Sequence, residues 1–166
     1  MGGCGESTPD AGLLSYTSVI KTDKINQELS QATPISRRST FGSFTINSAS
    51  IVPGRSGNRV VLMTNFSLTT FEIPEGVEGA LVASCGLRYD KQSRQIYLTD
   101  IRPGALRVDN ASLAEYVSKG AKSGIKSIVR KVFSDIPIYT MDKSFAAKFV
   151  KKIGVYKGNI VVVYGL

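Results

Sequence analysis

The chain has 166 residues, with 21 Lys and Arg against 13 Asp and Glu, a net charge of +8, two cysteines, no tryptophan and no histidine. The missing histidine excludes Ser-His-Asp and Cys-His nucleophile systems and His-ligated metals or haem. Two cysteines cannot complete a Cys₄ zinc or iron–sulfur site, so no metal or cofactor is expected.

One domain is the expectation at this length, with a core large enough to need no disulfide. No apolar run approaches the ~20 residues of a membrane-spanning helix. The Lys and Arg residues are spread along the chain, without an arginine-rich tail or interleaved aromatics. They read as a solvated surface and not as a nucleic-acid site.

Residues 1–14 are small and polar, the composition of a flexible tether, and residues 15–166 read as a single α+β domain. Cys4 follows two glycines and precedes a Ser, Gly and Asp-containing linker. It resembles the lipid-attachment cysteine of bacterial lipoproteins, a reading that requires an apolar export segment encoded upstream of Met1. Cys85 lies in an apolar alternation and reads as a small buried hydrophobe.

Thr22 is a good N-cap residue and Ile25 and Leu29 are i, i+4 partners, which predicts a short helix ending before Pro34. Strand material follows from Phe41 to Val52, stopped by Pro53-Gly54. From Arg59 to Ile73 the alternation places Val60, Leu62, Phe66 and Leu68 on one face and Asn65, Ser67 and Thr69 on the other. Gly79 to Tyr89 sets Leu81, Ala83, Cys85, Leu87 and Tyr89 on a common side, and Gln95 to Ile101 completes a meander of four antiparallel strands.

After Pro103-Gly104 and a short extended piece, Asp109-Asn110 opens the longest predicted helix, running to about Phe133. Its apolar face carries Leu113, Val117, Ala121, Gly124, Ile125, Ile128 and Val132, with Lys119, Lys122, Lys126 and Arg130 in a stripe opposite. Ile136 to Tyr139 reads as an edge strand because of Pro137, and Asp142 to Lys152 as a short helix with Phe145, Phe149 and Val150 inward. A hairpin closes the chain, turning at Lys157-Gly158-Asn159, and its second strand is β-branched enough for the centre of a sheet. The element order is α-β-β-β-β-α-β-α-β-β, an α+β domain in which an antiparallel sheet must cover one long helix.

No catalytic constellation stands out. Glu75 and Glu78 flank a turn glycine as solvated loop acids, and Tyr139 near Asp135 and Asp142 reads as capping near a strand end. The small residues on the long helix leave two readings. Space between helix and sheet would admit an acyl chain touching Leu62, Phe66 and Leu81 from the sheet and Leu113, Val117, Gly124 and Ile128 from the helix. Tight glycine-mediated packing is the alternative.

Three runs carry a resemblance: Tyr16-Thr17 with Thr22 to Leu29, Asp135 to Lys143 (DIPIYTMDK), and the closing Lys151 to Leu166 (KKIGVYKGNIVVVYGL). They resemble the YceB-like bacterial lipoproteins, whose domain has no assigned function, over residues 15–166. The resemblance implies an envelope lipoprotein, anchored through Cys4 to a membrane facing the periplasm, the outer membrane before the inner. It also implies a fold similar to the tubular lipid-carrying domains of the bactericidal/permeability-increasing type, with a curved antiparallel sheet wrapped around a long helix and lipid held between them. It supplies no catalytic residues. The expected function is therefore non-enzymatic binding of a lipid or other hydrophobic ligand. The competing expectation is an anchored scaffold with a solid core. It would meet an envelope protein or an acidic surface through Lys119, Lys122, Lys126 and Arg130.

Overall fold

Strict alternation of apolar and polar side chains dictates strands with one wet and one dry face, and the computed structural model, which describes residues 15–54, 57–142 and 145–165, is built mainly of them. Six strands form one antiparallel sheet in the order β2-β3-β4-β5-β6-β7: β2 (Ile35–Ser39), β3 (Gly42–Pro53), β4 (Val60–Thr69), β5 (Val77–Asp90), β6 (Gln95–Val108) and β7 (Pro137–Thr140). Three others form a second sheet, β1 (Ser15–Ile20), β9 (Asn159–Gly165) and β8 (Val150–Tyr156), with β9 central. The helices are α1 (Thr22–Ala32), a single turn α2 (Ala111–Ala114) and α3 (Lys119–Asp135), with a 3₁₀ turn at Phe145–Phe149. Cys4 and residues 1–14 lie outside the described residues, as does Lys143.

The large sheet is curled. Helix α1 touches both β3 and β7, which stand four strand spacings apart in the sheet order. In a flat sheet that gap is about 19 Å, more than the width of a helix. The sheet's inner face carries Phe44, Ile46, Ile51, Leu62, Phe66, Leu68, Leu81 and Cys85, each at most 1% exposed, and α1 adds Ile25 and Leu29. Asn26 of α1 also serves the edge of β3 beyond the end of β2. Its side chain accepts from the Ile51 N–H (2.7 Å) and donates to the Ile51 carbonyl (3.1 Å), so the amide stands in for a missing strand. The meander therefore holds on the faces that the alternation predicts, but its second strand, expected to run to Ile73, stops at Thr69, because Thr70 and Ile73 turn back to bond each other.

Four sequence expectations require correction. Two strands precede the expected first ones. β1 pairs with β9 from Ser15↔Gly165 to Ile20↔Ile160, and β2 forms a hairpin with β3. Neither alternates, since β2 (ISRRS) is an exposed edge. Second, β6 runs unbroken through Pro103-Gly104. Pro103 pairs with Ala83 between two register shifts and beyond the reach of β7, where a missing N–H costs no ladder bond.

Third, the predicted helix from 110 to 133 is two helices. Asn110 caps α2 through Ser112 N–H, Val117 turns inward, and Ser118 restarts the helix with its hydroxyl accepting from Ala121 N–H at 3.0 Å. The buried face of α3 is Ala121, Ile125, Val129, Val132 and Phe133, so Gly124 and Ile128 lie half-buried on its margin and Leu113 belongs to α2. Lys122 and Lys126 are half-buried while Lys119 and Arg130 are exposed, which puts the basic stripe on the flank of the buried face and not opposite it. Fourth, the predicted helix from 142 to 152 contracts to the 3₁₀ turn, and Val150 to Lys152 already belong to β8.

The closing hairpin stands as expected. Lys157 and Gly158 both have positive φ (51° and 77°), the two-residue turn that matches strand twist. β9 is buried on both faces from Ile160 to Tyr164.

Candidate functional site

One end of the curled sheet gathers three loops, and each brings an aromatic ring. The β2–β3 turn carries Phe41, and its Gly42 (φ 140°) lets the chain close onto Thr69, where a Cβ would overlap the Thr69 carbonyl. The β4–β5 loop carries Phe71. Thr70 and Ile73 exchange backbone hydrogen bonds (3.3 and 3.2 Å), Ile73 N–H also donates to the Thr70 hydroxyl, and both residues are buried. A rigid turn thus holds Phe71 out at 96% exposure. The α2–α3 link carries Tyr116, 55% exposed.

Phe41, Phe71 and Tyr116 line a cleft of about 150 Å³ whose other walls include Thr40, Ser118 and Ala121 of α3. Phe41 leaves the cleft on its inner side to lie over Gly124, where a Cβ would overlap its ring. The glycine therefore makes room for an aromatic side chain and not for a strand. Around the cleft, Arg37, Arg38 and Lys119 are exposed and Lys122 is half-buried, while Glu72, Glu75 and Glu115 are the exposed acids of the same loops.

The residues expected to line a ligand divide. Leu62, Phe66, Leu81 and Val117 are packed in the contiguous core, with Ile128 and Leu113 partly buried against it. Leu113 also edges a second, open groove of about 440 Å³ beside the mouth, with Glu75, Glu78 and Asp109. Asp109 is paired with Arg107 at 3.1 Å. Among the described residues no group of three His, Cys, Asp or Glu side chains could hold a metal ion.

At the opposite end, where β1 and β9 meet β7, Tyr139 and Asp142 line a cleft of about 300 Å³ with Lys21, Lys24 and Tyr164. Burial, then the nearby Asp142 and Glu28 charges, push the Tyr139 phenol above its ordinary value, which makes it a poorer proton donor and not an activated base. Burial likewise pushes Glu28 up, against a hydrogen bond from the Thr140 backbone. Neither arrangement places a nucleophile beside a base.

A family model described as Protein of unknown function (DUF1439) matches residues 20–159. The chain belongs to the DUF1439 family. No curated protein matches it. The match begins at the last residue of β1 and ends at the first of β9, so the family's domain takes in the whole large sheet, all three helices and the aromatic end. Within this DUF1439 domain the sequence reading passed over Phe71 and Tyr116. The expected strand to Ile73 absorbed Phe71; the signal against it was a change of phase, the alternating apolar residues being even-numbered as far as Leu68 and odd-numbered at Phe71 and Ile73.

Proposed function

We propose that this DUF1439 domain is a non-enzymatic lipid-binding module of the bacterial envelope, tethered through lipid on Cys4 and close to the YceB-like lipoproteins. One observation carries the reading. A curled antiparallel sheet holds helices on its apolar inner face, and beside the N-terminal end of α3 lies a cleft rimmed by Phe41, Phe71 and Tyr116. Clefts between layers are where proteins take small ligands. This one sets the rings of Phe41, Phe71 and Tyr116 among the polar groups of Thr40, Thr70, Glu72 and Ser118, an amphipathic lining suited to a ligand with a polar head and an apolar tail. An acyl chain entering there meets Ala121 first and then the Phe41 ring over Gly124. Swinging that ring aside lengthens the channel towards Val117 and Ile128. The likeness to tubular lipid carriers of the bactericidal/permeability-increasing type belongs to this reading, with the single long helix of those relatives replaced by α2 and α3.

A solid-core scaffold is the second reading, and the Phe41 ring seated on Gly124 favours it. Titration with a fluorescent fatty acid in detergent-free buffer, together with native mass spectrometry of protein purified from a bacterial host, separates the two. Saturable binding and co-purified lipid are expected. Absence of both leaves the scaffold. Envelope localisation is tested separately, by translating the DNA upstream of Met1 and by metabolic labelling of Cys4 with a fatty-acid analogue. An apolar in-frame segment and a labelled cysteine are expected.

A further inference from the structure

Phe71 is the most exposed large apolar side chain described in the molecule, and its exposure is built in. A turn locked by the Thr70–Ile73 backbone pair and the Thr70 hydroxyl presents the ring, so it does not fold back to bury itself. Tyr116 stands beside it across the same cleft with its own ring half in water. A Phe and a Tyr at one convex tip, with cations behind them, is the chemistry of a protein seated in the interfacial layer of a bilayer. Arg37, Arg38, Lys119 and Lys122 flank the tip, matched in number by the exposed acids Glu72, Glu75, Glu78 and Glu115, in a chain that carries +8 overall. The +8 net charge of the whole chain favours approach to a surface containing anionic lipid, and the aromatic rings decide which end enters it. A protein partner would need a concave pocket for Phe71, whereas a fluid bilayer supplies one around any protruding ring.

We infer that the aromatic end is a membrane-docking tip: Phe71 and Tyr116 enter the headgroup–acyl boundary of a lipid surface, and the cations meet its anionic headgroups. The inference rests on the ligand reading, since docking this end brings the cleft mouth to the acyl chains that would enter it. The basic residues farther along α3, Lys126 and Arg130, lie about one and a half and about two and a half turns beyond Ala121 of the cleft and take no part.

The chain has no tryptophan, so Phe71→Trp in the full 166-residue protein is a background-free probe. Val19→Trp, on the edge strand of the small sheet at 59% exposure, is the control. On adding phosphatidylethanolamine/phosphatidylglycerol vesicles (3:1), the emission of the Phe71→Trp protein should shift to the blue and be quenched by brominated acyl chains, while the control stays unchanged. Phe71→Asp should sediment with vesicles at least tenfold more weakly and melt as the wild type does. Lys119→Glu with Lys122→Glu should weaken sedimentation only when phosphatidylglycerol is present. Unchanged emission at saturating vesicles, an equal shift in the control, wild-type sedimentation of Phe71→Asp, or a shift in the Phe71→Trp protein that follows protein concentration without vesicles would each overturn the tip. The last outcome would mean self-association. Fatty-acid binding in vesicle-free buffer keeps the two ideas apart. Docking by a wild type that binds no fatty acid defeats the ligand reading alone, and fatty-acid binding by a wild type that does not dock defeats the tip alone.

Discussion

Arg59 ties the bulged stretch of β5 and β6 together. Its guanidinium donates to the Ser84 hydroxyl and carbonyl (2.6 and 2.8 Å) and to the Asp100 carboxylate and carbonyl (2.9 and 2.6 Å), while Arg102 reaches the same carboxylate at 2.7 Å. Hydrogen bonds from Arg102 and then Arg59 hold the Asp100 carboxyl below its ordinary value of 3.8. A folded-state value lowered in this way gives stability that is present above the unfolded value and lost as pH falls through the folded one. Asp100→Asn should therefore flatten the acid limb of the stability curve below about pH 4. Asn also tolerates the positive φ (45°) of this position, so the change isolates the charge from the backbone. An acid limb that matches the wild type in chemical denaturation would show that these bonds do not favour the carboxylate.

Cys85 behaves in the opposite sense. Burial, opposed by Arg59, pushes its thiol up to about 12. The native thiol should resist iodoacetamide at pH 8 and react fully in urea, as read by peptide mapping. Its raised value also means that stability present below the unfolded value is lost as pH rises from about 9 towards 12, a slope that Cys85→Ala should remove. The burial of Cys85 was legible in the sequence because its neighbours alternate. The packing of Phe41 on Gly124 was not, because the two residues are distant in the chain and a glycine on a helix does not say what covers it.

At the scale of elements, periodicity located β3, β4, β5 and the closing hairpin, since each has one dry face or two. It failed for β1 and β2, whose strand character comes from partners and not from pattern. It also joined α2 to α3, because apolar residues recur at helical spacing on both sides of Ser118. The hydroxyl of Ser118 competes with helix continuation and wins at that point. Ser118→Ala should cost about 1 kcal/mol, the usual worth of an N-cap, measured by urea denaturation.

The break also rotates the assignment of faces on α3. Val129 is fully buried and Ile128 is not. Val129→Asp should unfold the domain, because an unpaired buried carboxylate costs several kcal/mol, comparable to the stability of a domain this size. Ile128→Asp should leave a folded protein with a lowered melting temperature. The reverse ranking in thermal melts would mean that α3 is turned by one residue from the orientation described.

The whole molecule is legible in outline from the sequence as an antiparallel sheet closed over amphipathic helices, because a sheet with one apolar face must bury it. What the sequence could not supply is the division into two sheets, which depends on a pairing of the first described residues with the last. Those two sheets share one core. Ile20, Ile153, Ile160, Val162 and Tyr164 of the small sheet belong to the same buried cluster as Leu62, Ile96 and Val129.

Two polar struts cross the seam. Tyr89 donates its phenol to the Ala147 carbonyl at 2.8 Å, and the Asn58 side-chain oxygen accepts from the Val155 N–H. Gly154 lies directly under the Asn58 amide, where a Cβ would overlap it. A shared core predicts a single cooperative unfolding transition, with far-ultraviolet and tyrosine near-ultraviolet signals coincident. Tyr89→Phe should cost about 1 kcal/mol or somewhat more, since the Ala147 carbonyl is left without its partner, and should lower that one transition without splitting it. Gly154→Ala displaces the second strut and should act in the same direction, adding to Tyr89→Phe if the struts are independent. Were the small sheet a separate folding unit, either change would instead release it alone. Amide exchange would then accelerate in β1, β8 and β9 while β3 to β6 kept wild-type protection.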